Sequence, residues 1–237
     1  MEIEKEHSYR FAREIIDSTP ELSSLYEELM QAISSISEKD LISLQESKFK
    51  SQKSISKSIN ALIKDRLVKL DWTRESRIFQ GDEYRGESAW ALDFAKTKKI
   101  QSLELIPSQQ DKRATEIGIA VEVAFNHGEA AAWNILKPVL AAELNHVEKE
   151  TSIGAGIGVL IVISADMENK GGFDGAVGNY ERYMKHLKVM RNQLTVPMML
   201  LALKAPKSFY IERYPKDFPI KNKQGRSTGK IVPIKNA

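Results

Sequence analysis

Ile117-Gly118-Ile119-Ala120-Val121-Glu122-Val123-Ala124-Phe125-Asn126 alternates large apolar residues with small or polar ones. That period of two predicts a β-strand. Ile117, Ile119, Val121, Val123 and Phe125 fall on one face, which belongs to a core. Gly118, Ala120, Glu122, Ala124 and Asn126 fall on the other, where every neighbour of Glu122 is small. A carboxylate in an apolar strand is costly unless something compensates it. A second one, Asp93, lies in Trp90-Ala91-Leu92-Asp93-Phe94-Ala95, between Ala91 and Ala95 on its own face. On adjacent strands the two acids would hold a hard divalent cation through oxygen, with room for waters and a phosphate. Such an ion lowers the pKa of bound water and polarises a phosphoryl group, the chemistry of phosphodiester hydrolysis. The alternative is that both acids face water on half-exposed strands.

Outward from this strand, Ala89 to Lys98 reads as its predecessor. Gly156 to Ile163 and Val196 to Leu203 are apolar runs that suit strands buried on both faces. Glu129 to Val147 and Asn179 to Leu194 read as helices, with Pro138 predicting a kink in the first. The order strand, strand, helix, strand, helix, strand predicts an α/β fold, with a mixed β-sheet flanked by helices. Upstream the chain reads helical, over Tyr9 to Asp17, from Thr19-Pro20 onward, and over Ser54 to Leu70. Leu22, Leu25, Tyr26, Leu29, Ile33 and Ile36 recur at helical spacing. Proline suits the first helical position and Thr19 can cap it. The expected organisation is one domain over 1–205, with a helical lead-in at 1–72, a core at 88–205, and a basic extended arm at 206–237.

The 237 residues suffice for a sizeable core. Without cysteine, disulfides and thiolate zinc sites or nucleophiles are excluded. No apolar run approaches membrane-spanning length, and the charged start, Met1-Glu2-Ile3-Glu4-Lys5-Glu6, leads into no signal-like segment. No membrane partner is expected, and a cytoplasmic location fits. The net charge of +3 is unevenly placed. Lys48, Lys50, Lys53 and Lys57 form one basic stretch, and the tail from Lys207 to Lys235 forms another. Either can be a solvated face, or a contact with nucleic-acid phosphates.

Leu92-Asp93-Phe94-Ala95-Lys96, followed by Ala120 to Asn126, resembles the active-site strands of BglII/BstYI-type (BamHI-related) type II restriction endonucleases, within the PD-(D/E)XK nuclease superfamily. Ile59 to Leu67, with Trp72 and Arg77 after it, resembles that family's helical lead-in, and Gly158 to Val162 its next strand. The resemblance covers about 50–205. It implies a restriction-endonuclease-like fold and a homodimer that cuts a short palindrome in double-stranded DNA with Mg²⁺, at a site built around GATC. By position, Asp93 and Glu122 would be the metal ligands, and the Val123 carbonyl a further one.

Two departures matter. The family carries a polar residue two places after the glutamate, to orient or activate water; here it is Ala124. Glu129 and Lys137 are the candidate replacements. The two acids are also further apart in sequence than in relatives, so 99–116 reads as an inserted loop, and Asp111 and Glu116 are rival ligands. Ala124 keeps a second reading open, an impaired site-specific DNA-binding protein on a nuclease scaffold. A third is a nuclease selective for DNA structure. Asn126, His127, Arg74, Arg77, Lys50 and Lys53 are candidate DNA contacts. For His127 a surface turn, for Asn126 a helix cap, and for Arg74 and Arg77 a surface ion pair with Glu75 or a neighbour are the plainer alternatives. Gly171 to Gly175 lacks the lysine of a phosphate-binding loop and reads as a connection passing near DNA.

Overall fold

A computed structural model describes residues 1–100, 116–143, 147–214 and 228–234. Four helices come early: α1 (Ala12–Ser18), α2 (Pro20–Ser34), α3 (Glu38–Ser47) and α4 (Ser56–Val68). Pro20 opens α2 as expected, while Thr19 at its N-cap makes no side-chain capping bond. The helical spacing places Leu22, Leu25, Tyr26, Leu29 and Ile33 in the core. Ser37 and Asp40 form a reciprocal capping box that starts α3. No helical run of apolar residues marks this helix in the sequence, and it buries only Leu41 and Gln45.

A six-stranded mixed sheet follows the order β1-β6-β5-β4-β3-β2. Its strands are β1 (Ile3–Tyr9), β2 (Thr73–Arg77), β3 (Ala91–Lys99), β4 (Glu116–Val123), β5 (Ile157–Ile163) and β6 (Met198–Leu203). β4, β5 and β6 are parallel, joined by crossovers through α5 (Ala131–Ala142) and through α6 (Ala165–Lys170) with α7 (Tyr180–Val189). The early helices pack on one face, over Ile119, Val121, Val159, Ile161, Met199 and Leu201. Helices α5 and α7 cover the other, over Leu160, Val162, Leu200 and Ala202. Both crossover helices are shorter than their apolar spacing suggested, and α5 runs through Pro138.

Two parts of the expected organisation change. The helical lead-in is preceded by a strand, β1, antiparallel to β6 with Lys5 opposite Ala202 and His7 opposite Leu200. Its run of charges suits a sheet edge, where one side faces water. The tail is not simply an extended arm: β7 (Phe209–Arg213) pairs antiparallel with β8 (Gly229–Pro233), and Phe209 and Ile211 are buried in the main core. That pairing joins segments far apart in sequence, so local periodicity could not reveal it.

Candidate active site

The β3–β4 ladder runs from Lys99 opposite Glu116 to Phe94 opposite Val121, and ends there. Beyond it β3 stays with β2, pairing Leu92 with Ser76, while β4 stays with β5, pairing Glu122 with Leu160. The next two residues on β3 and β4 are Asp93 and Glu122, and their carboxylates bridge the parting. The N–H of Asp93 donates to Glu122 Oε1 at 3.2 Å, and the N–H of Val123 donates to Asp93 Oδ2 at 2.7 Å. Each acid thus accepts from the backbone of the opposite strand, where a ladder carbonyl would otherwise do so.

A third group closes the gap. Lys137, on α5, places Nζ 2.6 Å from Glu122 Oε2 and donates to the Ala91 carbonyl at 3.0 Å. Glu122 is 2% exposed and Lys137 7%. The approach of α5 follows from Gly158 on β5: a Cβ there would lie 2.7 Å from the Cβ of Pro138. Only glycine lets the helix settle this low, and Lys137 is the residue before that proline.

Burial pushes the Glu122 carboxyl up to about 8, and the nearby Asp93 charge adds to the rise; the Lys137 ammonium and the Asp93 N–H oppose it. Asp93 is also raised, chiefly by burial, against the Val123 N–H and the Lys137 charge. Glu75 on β2 adds to that rise, and its backbone is left-handed at φ 48°, an uncommon conformation for a residue other than glycine. Nothing in its sequence context signalled this placement. Two desolvated, mutually repelling carboxylates, with no soft donor, fit a hard divalent cation, and Mg²⁺ is commonly held by one or two carboxylates plus water. Among the described residues no cluster of three or more His, Cys, Asp or Glu is gathered for an ion.

The other candidate residues sort by place. Ala124 is 2% exposed and gives its N–H to the Ile161 carbonyl, so its position offers the site only a methyl group. Glu129 is exposed in a short 3₁₀ turn. Glu116 lies at the far end of β4, opposite Lys99, and Asp111 lies outside the described residues. Arg74 is exposed opposite Phe94, while Arg77 pairs with Glu150 at 2.6 Å. Lys50 and Lys53 are exposed near the start of α4. Asn126 and His127 are exposed just past β4 and line a cleft that Lys53 also lines. Asn126 does not cap a helix; its Oδ1 accepts from Asn134, whose amide also donates to Tyr183 Oη.

The family model for "Restriction endonuclease BglII/BglIII" matches residues 5–203. The chain belongs to that restriction endonuclease family. Family membership makes it a site-specific nuclease that acts on DNA. A solved structure of restriction endonuclease BglII complexed with a DNA 16-mer is similar, with TM-score 0.57 and 19% identity. The alignment covers 99% of this chain and 100% of that one, and at such identity it establishes the shared fold. No curated protein matches. No helix among the described residues is long and apolar enough to cross a membrane.

Proposed function

We propose that the chain is a Mg²⁺-dependent type II restriction endonuclease, cutting duplex DNA as a homodimer at a short palindromic site, with GATC at its centre. The observation that carries this reading is the exchange of Asp93 and Glu122 across the parted ends of β3 and β4. These two carboxylates would hold the ion, with the Val123 carbonyl alongside. When bound, the ion would supply Lewis acidity toward the phosphoryl oxygen and would make a water more acidic.

The rest falls to the chain. Asp93 and Glu122 fix the position of charge through backbone N–H bonds that set each carboxylate's orientation. Lys137 takes over from the polar group missing at Ala124. Its ammonium is anchored on Ala91 and reaches Glu122, so it can donate to the attacking water or to a phosphoryl oxygen and stabilise developing negative charge. Glu129 is not needed for that role. Arg74, Lys50, Lys53, Asn126 and His127 are proposed as DNA contacts; Arg77 would have to leave Glu150 to join them. A cytoplasmic setting, where foreign DNA arrives, fits this activity.

The test is incubation of purified protein with mixed genomic DNAs and Mg²⁺ or Mn²⁺, followed by sequencing of the cut ends. Discrete ends sharing one palindrome support the reading. Intact DNA overturns the catalytic claim. Ala124 specifically favours the rival, a DNA-binding protein without catalysis, and metal-independent specific binding with no cutting would establish it.

A further inference from the structure

The geometry points to a second phosphate site, a cleft in which Lys53, His127 and Arg213 hold one phosphodiester of the DNA strand, built by the carboxy-terminal hairpin. It rests on the reading that duplex DNA is the substrate. The cleft holds about 150 Å³ and is lined by Lys53, Asn126, His127, Asp174 and Arg213, among others. These residues come from four segments: the lead to α4, the exit of β4, the loop after α6, and β7.

The segments are fastened together, so this is a built site. Ile55 N–H donates to the Gly171 carbonyl and Gly229 N–H to the Gln52 carbonyl. Gly172 has φ +71°, and a Cβ on it would lie 2.5 Å from the Lys53 carbonyl and 2.7 Å from Ile211 Cγ2. Arg213 donates Nε and Nη2 to the Gly172 carbonyl at 2.9 and 2.7 Å. A guanidinium has five N–H donors in a rigid fork, so this anchoring leaves donors for an oxyanion. With its Oδ1 engaged by Asn134, Asn126 has its amide N–H groups left to offer a ligand.

Charge decides the class of ligand. Asp174 accepts from Ala176 N–H, which holds its carboxyl below the usual range, with Arg213, Lys53 and His127 adding to the effect. Lys53 and Arg213 against Asp174 leave one net positive charge. One phosphodiester carries one negative charge, so the balance suits a DNA linkage better than a dianionic phosphate. The cleft opens directly after β4, close along the chain to Glu122, so its phosphate would belong to the strand that passes the active site.

The test measures binding of duplex DNA by the full chain in chelator-containing buffer across a salt series. Failure of metal-dependent cutting therefore leaves this measurement intact. Lys53 is exposed, so Lys53→Ala leaves the fold in place, as a thermal melt will verify. The slope of log K against log salt should become less steep by about 1, the value for one phosphate contact. Asp174→Asn keeps an acceptor for Ala176 and should tighten binding about 3- to 10-fold, one charge removed being worth on the order of a tenfold change or less. A slope and affinity unchanged in Lys53→Ala overturn the site. Inorganic phosphate titrated alone distinguishes a free ion as the source. Phosphate binding that is lost in Lys53→Ala, with the DNA slope unmoved, also overturns the DNA clamp.

Discussion

Lys137 Nζ lies 2.6 Å from Glu122 Oε2, and the two side chains are 9% and 3% exposed. A buried ion pair of this kind contributes little net stability against apolar replacements, but removing one partner is strongly destabilising. The pair stands beside Asp93, whose charge repels that of Glu122. The site therefore concentrates charge that the fold would shed if stability alone governed it, as expected of a functional centre.

Asp93→Asn separates function from stability. The amide oxygen can still accept from Val123 N–H, while the repulsion on Glu122 disappears. The metal-free variant should melt about 2–4 °C higher, corresponding to about 1 kcal/mol for a chain of this size. Cutting should fall by at least about 1,000-fold, on the order of 4 kcal/mol of barrier. Calorimetry and a plasmid-cleavage assay read the two effects; retained cutting would remove Asp93 from the metal site.

Lys137→Met distinguishes a catalytic lysine from a packing one. Above about pH 8, where Glu122 is ionised, loss of the ammonium leaves that charge uncompensated, and metal-free stability should drop by about 1–3 kcal/mol. Without that competing cation, Mg²⁺ should bind more tightly, yet single-turnover cleavage at saturating Mg²⁺ should slow about 100-fold or more, the usual scale for losing one preorganised donor. A lysine with only a structural role predicts a normal rate once metal has restored the fold. Titration calorimetry and quench-flow kinetics test this directly.

The acid pair also sets a pH dependence. Glu122 titrates at about 8 in the folded protein against 4.5 ordinarily, so between those values the folded state holds a proton that the unfolded chain has lost. Stability of the metal-free protein therefore falls as pH rises through that window. Held by Glu122 as proposed, Mg²⁺ would compete with the same proton. Its addition should raise Tm more at pH 8 than at pH 6, by about 5–10 °C at pH 8 with the ion at about 100 times its Kd. Equal shifts at both pH values would sink the assignment of Glu122 as a ligand.

Gly158→Ala tests the approach of α5. The new methyl would meet Pro138 Cβ at 2.7 Å, in a layer of strand and helix with little slack. Overpacking of this kind costs about 1–3 kcal/mol. The helix should move outward and carry Lys137 with it, so the cleavage rate should fall more than DNA affinity. A variant that melts lower but cuts at the normal rate would show that the close helix contact does not position the lysine.

Period-two alternation over 117–126 made β4 legible, with Glu122 turned away from Val121 and Val123. The apolar runs at 156–163 and 196–203 made β5 and β6 legible, because strands buried on both faces need few polar residues. β1 and the β7–β8 hairpin were not legible. Lys5 and Glu6 lie in a polar segment that becomes a strand only because β6 offers an open edge, and Phe209 and Ile211 need β8 as a partner. Residue type and spacing marked Asp93 and Glu122 as acids out of place, and left Lys137 and Glu129 as equals.

The amino-acid order by itself determined an α/β fold with one acid on each of two strands, since alternation and hydrophobic burial act over a few residues. Only the tertiary structure decided that β3 and β4 part at Asp93 and Glu122, that Lys137 closes the gap, and that Lys53, His127 and Arg213 share a cleft. Those outcomes depend on how closely a helix and a hairpin can approach the sheet. Such distances are set by packing between segments remote in sequence, which no local pattern encodes.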